Sequence, residues 1–300
     1  MIAIFIGLLG MIVFAGSIPA TALSIEGFSP EFTTLFRALL AGVVGFVILL
    51  VMRRPFPRQH LMRLIVIGLL IAFAFPGFMA LSLSEVSPAH GAVVLGIIPV
   101  FSSVISVVIT GLRPPLAFWA VSLTASLIVM GFALNESGTH LSSGDIYMLV
   151  GAFCTALGYN LSAKLSSEMA SWEVITWSLT LTLPLALIGS LLTWQGMPVA
   201  SATTPVSMIW AGQIYAGLGS MLLGYILWNM GLAMGGVARI GQLQYLQVFV
   251  TLGMAAIVNH DPLRLETVLT ATLVTVLVVM AMRFKAKAKP QGITKKLPKI

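Results

Sequence analysis

Apolar residues recur in blocks as long as a bilayer is thick, at 2–23, 32–52, 64–83, 89–112, 116–134, 146–164, 174–194, 206–230, 237–259 and 265–282. Crossing about 30 Å of hydrocarbon takes roughly 20 helical residues. A backbone there must satisfy its own N–H and C=O groups, so continuous apolar runs of this length can only be helices. Of 300 residues, 58% are hydrophobic and 8% charged, which excludes a water-soluble globule. The connections at 53–63 and 194–205 and the stretch after Met282 are too short to bury a core of their own. The expected fold is one all-α membrane domain of ten transmembrane helices. Pro19-Ala20-Thr21-Ala22 offers small residues of the kind a signal peptidase accepts, but no basic segment precedes the run, so it is read as an uncleaved first helix.

Charge then orients the chain. The net charge of +7 would suggest nucleic acid in a soluble protein, but in a membrane protein it reports topology. Arg53, Arg54, Arg58, Arg63, Arg113, Lys164, Arg239 and seven basic residues from Arg283 onward all fall on one side of the ten-helix pattern. Glu26, Glu31, Glu85, Glu136, Asp145, Asp261 and Glu266 fall on the other, with Arg264. Both termini are therefore expected in the cytoplasm. The tail, with Lys285, Lys287, Lys289, Lys295, Lys296 and Lys299, suits anionic lipid headgroups. Cys154 is the single cysteine, and no Cys or His cluster has metal-ligand spacing, so neither metal nor cofactor is expected.

The two halves echo each other. Ser29-Pro30-Glu31-Phe32-Thr33-Thr34 before the second span is matched by Ser171-Trp172-Glu173-Val174-Ile175-Thr176 before the seventh. Glu31 is expected outside and Glu173 inside, as an odd number of helices per repeat requires. The reading is two inverted five-helix repeats, 1–134 and 145–283, with a basic cytoplasmic tail at 284–300.

Polar groups inside the spans mark where function is expected, because burying them in hydrocarbon demands partners or water. Arg37 is the one charged residue set well inside a span. It fits either a fork holding a substrate carboxylate or a brace between helix ends. Ser17 and Thr21 flank Pro19 in the first span, Met79 follows Pro76 in the third, and His90 opens the fourth, placed to sense pH, touch substrate or cap the helix. Tyr159 and Asn160 lie in the sixth span, Trp228 in the eighth, and Gln242, Gln244 and Tyr245 in the ninth. The glutamines could read the polar backbone of an amino acid while Met79, Tyr159 and Trp228 pack its side chain. They could equally join helices, as could the Gly231 and Gly235 pair.

Several stretches bear a family likeness. Phe28-Ser29-Pro30 followed by Arg37-Ala38, Val86-Ser87-Pro88-Ala89 leading to Ile98-Pro99-Val100-Phe101, and above all Ala238-Arg239-Ile240-Gly241-Gln242-Leu243-Gln244 resemble the EamA-type ten-helix members of the drug/metabolite transporter superfamily. Two positions depart from that pattern: Ala15-Gly16 stands where a tryptophan-glycine pair is frequent, and neither Gln247 nor Val248 is the proline common in the ninth helix. The resemblance implies a secondary transporter with a central cavity between inverted repeats and the fifth and tenth helices outermost.

The expected function is export or exchange of an amino acid or related amphipathic solute across the inner membrane by alternating access. Uptake of a vitamin or nucleotide-like metabolite is the alternative of the same class, and a non-transporting sensor or assembly factor that of another. No Walker-type loop is present, and no Asp or Glu lies deep in a span, which favours facilitated diffusion or exchange over ATP or proton coupling. An enzyme would need aspartate-rich, zinc-binding or paired-carboxylate chemistry that the spans lack. Expected partners are a small metabolite and membrane lipid but no nucleic acid, with a homodimer as an open option.

Overall fold

The computed structural model describes residues 1–88, 91, 94–111, 114–137, 142–198, 204–259 and 265–284. Among them, five helices are long and apolar enough to cross a membrane: α1 (Ile2–Ile25), α2 (Pro30–Val51), α3 (Arg58–Leu83), α6 (Ser143–Leu165) and α8 (Val206–Gly235). A sixth, α7, is a broken span of Ser171–Leu181 and Leu183–Thr193 with a 44° bend. The other elements are α4 (Leu95–Thr110), α5 (Leu116–Ser137), α9 (Val237–Ile240, continued through Gly241–Leu246 into Gln247–Asn259) and α10 (Leu265–Arg283). No strand occurs among the described residues.

Few of these helices are regular, and prolines account for much of that. Pro19 carries no N–H for the carbonyl of Ala15 and crowds it, and α1 breaks at Gly16. Pro76 follows a π-helical stretch at Leu69–Ala74, Pro99 follows a 3-10 turn at Leu95–Ile97, and Pro184 sits just past the α7 bend. Two deformations have no proline. Tyr215–Gly224 in α8 is π-helical and holds Gly217, Gly219 and Gly224. Gly241–Leu246 in α9 is a 3-10 run, so the helix changes pitch without the proline the family pattern has at Gln247 or Val248. The order is shared between halves: a π stretch in α3 and α8, then a 3-10 stretch leading α4 and the last part of α9.

Small residues allow the halves to touch backbone to backbone. A Cβ on Gly231 would lie 2.9 Å from Gly7 Cα, and one on Gly10 would lie 2.8 Å from Trp228 N, so α1 and the end of α8 meet where neither glycine can be replaced without movement. At their tips Ala3 sits beside Gly235. Lys164, Arg239 and Arg283 line one cavity with Gly235, so the start of α1 and the ends of α6, α8 and α10 share one face. On that face Arg54 pairs with Glu173 at 3.3 Å and Arg63 with Glu168 at 2.7 Å, tying the α2–α3 loop to the start of α7 and the start of α3 to the α6–α7 connection.

Candidate functional site

Arg37 is 1% exposed, and no carboxylate pairs with it among the described residues. Its guanidinium donates instead to two hydroxyls of α1, Thr21 Oγ1 at 3.2 Å and Ser17 Oγ at 3.4 Å. Ser17 Oγ also accepts from Ser220 Oγ of α8 at 3.0 Å. Thr21 in turn donates to Ser17 O at 2.8 Å. One cation thus joins α2, α1 and α8 through neutral oxygens, and its Nε has no partner. Among its immediate partners the positive charge is spread over hydroxyl dipoles but not cancelled.

The broken α1 supplies the next layer. Near Pro19 and Gly16 three successive carbonyls are each taken by a side chain from elsewhere: Val13 O by Tyr215 Oη at 2.8 Å, Phe14 O by Gln247 Nε2 at 3.4 Å and Ala15 O by Thr251 Oγ1 at 2.8 Å. Irregular backbone at membrane depth survives only where protein or a cavity satisfies it, and here α8 and α9 do so.

Beside this break lie two small cavities of about 10 Å³ each, sharing Ile18, Leu95, Ile98, Gln244 and Gln247. One is walled further by Phe14, Ser17, Phe75, Met79 and Tyr159. Such a volume holds a single water at most. Gln244 Nε2 donates to Tyr159 Oη at 3.3 Å, and the other end of that amide has no protein partner. Phe14 packs against Tyr225 at 4.9 Å, Trp228 at 6.1 Å and Tyr159 at 6.4 Å between ring centroids, so aromatic faces back the polar group.

On the basic face a larger cavity of about 760 Å³ runs in between α4, α5, α6, α8, α9 and α10 and reaches Asn160. Asn160 Nδ2 donates to Ser102 O at 3.0 Å and Ala156 O at 2.9 Å. Tyr159 and Asn160 are neighbours on α6, the first lining a central cavity and the second the vestibule.

The sequence-predicted residues therefore separate into groups. Ser17, Met79, Tyr159 and Gln244 converge on the central cavities, and Asn160 faces the vestibule. Arg37 and Thr21 stand one layer behind Ser17. Trp228 is fully buried against Phe14 and Tyr159. Gln242 joins helices, donating to Ser103 Oγ at 3.3 Å, and Tyr245 anchors α9 to α5 by donating to Ser122 O at 2.7 Å. His90 lies outside the described residues. Sequence reading passed over Phe14, Ser220, Tyr225 and Thr251. Of these only Thr251 answers to a legible signal, the carbonyl that Pro19 leaves without a donor.

A bundle of broken apolar helices around buried polar groups defines a membrane transport protein more readily than an enzyme. The chain matches the EamA-like transporter family over residues 1–135 and again over 142–283. It is 38% identical over 285 residues to the uncharacterized transporter YdeK of Bacillus subtilis (strain 168), covering 93% of this chain and 96% of that protein. A second relative in the same organism, the uncharacterized transporter YyaM, is 25% identical over 287 residues, covering 93% of each. A crystal structure at 19% identity superposes with a TM-score of 0.69 over 93% of this chain and 96% of the other, which establishes the shared fold. The chain belongs to the EamA-like transporter family: it is a multi-pass membrane transporter, not an enzyme.

Proposed function

We propose that this transporter carries a small amphipathic metabolite, an amino acid or a close chemical relative, by alternating access, in export or exchange across the inner membrane. The reading takes α1 to α10 as ten spans in two inverted five-helix repeats, with the basic face and both termini cytoplasmic. The repeated order of π and 3-10 stretches supports the two-part architecture, and the basic loops support the orientation.

One observation carries the proposal. Where α1, α4, α6 and α9 meet at mid-bundle, a buried amide of Gln244 keeps one end unpartnered beside a cavity too small for solute. A group left unsatisfied at that depth costs roughly 1–3 kcal/mol, which a bound polar solute would offset. The small volume belongs to a state in which the centre is shut and the basic face is open.

Counterflow into proteoliposomes preloaded with unlabelled solute, with a labelled panel of amino acids, nucleosides and vitamins, tests this without assuming a coupling ion. Saturable flux that Gln244→Leu reduces while the protein stays monodisperse is the expected result. Flux insensitive to Gln244→Leu would sink the central site, and absence of flux across the panel would sink the proposed substrate class.

A further inference from the structure

The same face that pairs Arg54 with Glu173 and Arg63 with Glu168 leaves other cations without an ion-pair partner among the described residues, and these include Lys164 at the end of α6, Arg239 in α9 and Arg283 at the end of α10. All three line the 760 Å³ vestibule, and no Asp or Glu among the described residues lines it. Topology alone asks only that basic residues lie on this side. It does not gather three of them, from three helices, round one concave space while the carboxylates of that face are engaged elsewhere.

We propose that the vestibule is itself a binding site for a soluble organic anion bearing carboxylate or phosphate groups, held by Lys164, Arg239 and Arg283. The volume lies within the roughly 300–1,000 Å³ of small-molecule pockets. Phe118, Leu232 and Val237 wall it with apolar surface, and low-dielectric walls focus the field of the cations on the space between them. The arginine forks match planar oxyanions, and lysine adds a point charge. Asn160, at the inner end, marks where a bound solute stands one helical position from Tyr159 and the central cavity.

Binding here is separable from flux, so the test reads occupancy. In full-length protein carrying Cys154→Ser and Ala233→Cys, reconstituted in phosphatidylcholine nanodiscs, the cysteine at a vestibule-lining position reports access through its rate of reaction with a soluble maleimide. Succinate and inorganic phosphate are expected to slow the reaction saturably, and sodium chloride of equal ionic strength to leave it unchanged. Removing one charged hydrogen-bond donor with Arg239→Gln, or separately Lys164→Gln, should weaken protection about tenfold. Equal rates with and without either anion, in protein that remains monodisperse, overturn the proposal. Protection that appears only when phosphatidylglycerol is added overturns it in favour of a lipid headgroup. Protection without counterflow would count against the carrier reading alone, and counterflow without protection against the vestibule site alone.

Discussion

Gln244 of α9 donates to the hydroxyl of Tyr159 on α6 across 3.3 Å, and both side chains line the central cavity while Asn160, next to Tyr159 in the chain, lines the vestibule. On the proposed carrier reading, a solute moving from the vestibule to the centre passes that pair.

Breaking the pair should therefore open the partition more than it weakens the fold. Hydrogen bonds between membrane helices average about 0.6 kcal/mol in double-mutant cycles, so Tyr159→Phe and Gln244→Leu should show coupling of that order in thermal unfolding. In Tyr159→Phe a cysteine introduced at Ile98 should react faster with reagent from the basic face. Unchanged accessibility would show that the route lies elsewhere.

Arg37 separates bracing from recognition. A buried cation bonded only to hydroxyls contributes little net stability, because desolvation offsets its contacts, and a long apolar replacement can be neutral or stabilising. Arg37→Met should keep its folded yield and unfold within a few degrees of wild type, yet lose at least about tenfold in flux of carboxylate-bearing solute, a loss of about 1.4 kcal/mol or more. A collapse in yield with flux per folded molecule preserved would make Arg37 a brace alone.

Thr251 and Pro19 should be coupled through one carbonyl. Among the described residues Thr251 is the one side-chain donor to Ala15 O, so Thr251→Val should cost about 1–3 kcal/mol for a buried acceptor. Pro19→Ala restores a backbone N–H that can reach Ala15 O within the helix. The double variant should recover most of the stability that Thr251→Val loses, measured by thermal unfolding in detergent. Strict additivity of the two changes would refute the assignment.

The α1–α8 contact should tolerate no side chain. A Cβ at Gly231 would meet Gly7 Cα at 2.9 Å and Gly7 N at 3.0 Å, both backbone atoms that cannot rotate away. Gly231→Ala should lower stability by about 1–3 kcal/mol, as overpacking does. Gly131→Ala, with open space around the Cβ, is the control that should not.

Length and hydropathy made the membrane class and the helical segments readable without coordinates, since hydrocarbon admits no other spanning form for such runs. Irregularity at Pro19, Pro76 and Pro99 was readable for the same kind of reason, since each removes a donor at a fixed place, whereas Pro184 was passed over. The π stretch at Tyr215–Gly224 and the 3-10 run at Gly241–Leu246 were not, because glycine permits a deformation without dictating it.

By itself the sequence determined that this is a helical multi-pass membrane protein, which of its connections are basic, and that Arg37, Gln242, Gln244 and Tyr245 would need polar partners inside it. Tertiary structure decided which partners they found. Packing turned Gln244 toward Tyr159 and the cavity while sending Gln242 to Ser103 and Tyr245 to Ser122. A periodic pattern of polar residues fixes a burial requirement, but partner choice depends on atoms far apart in the chain, which only packing brings within reach.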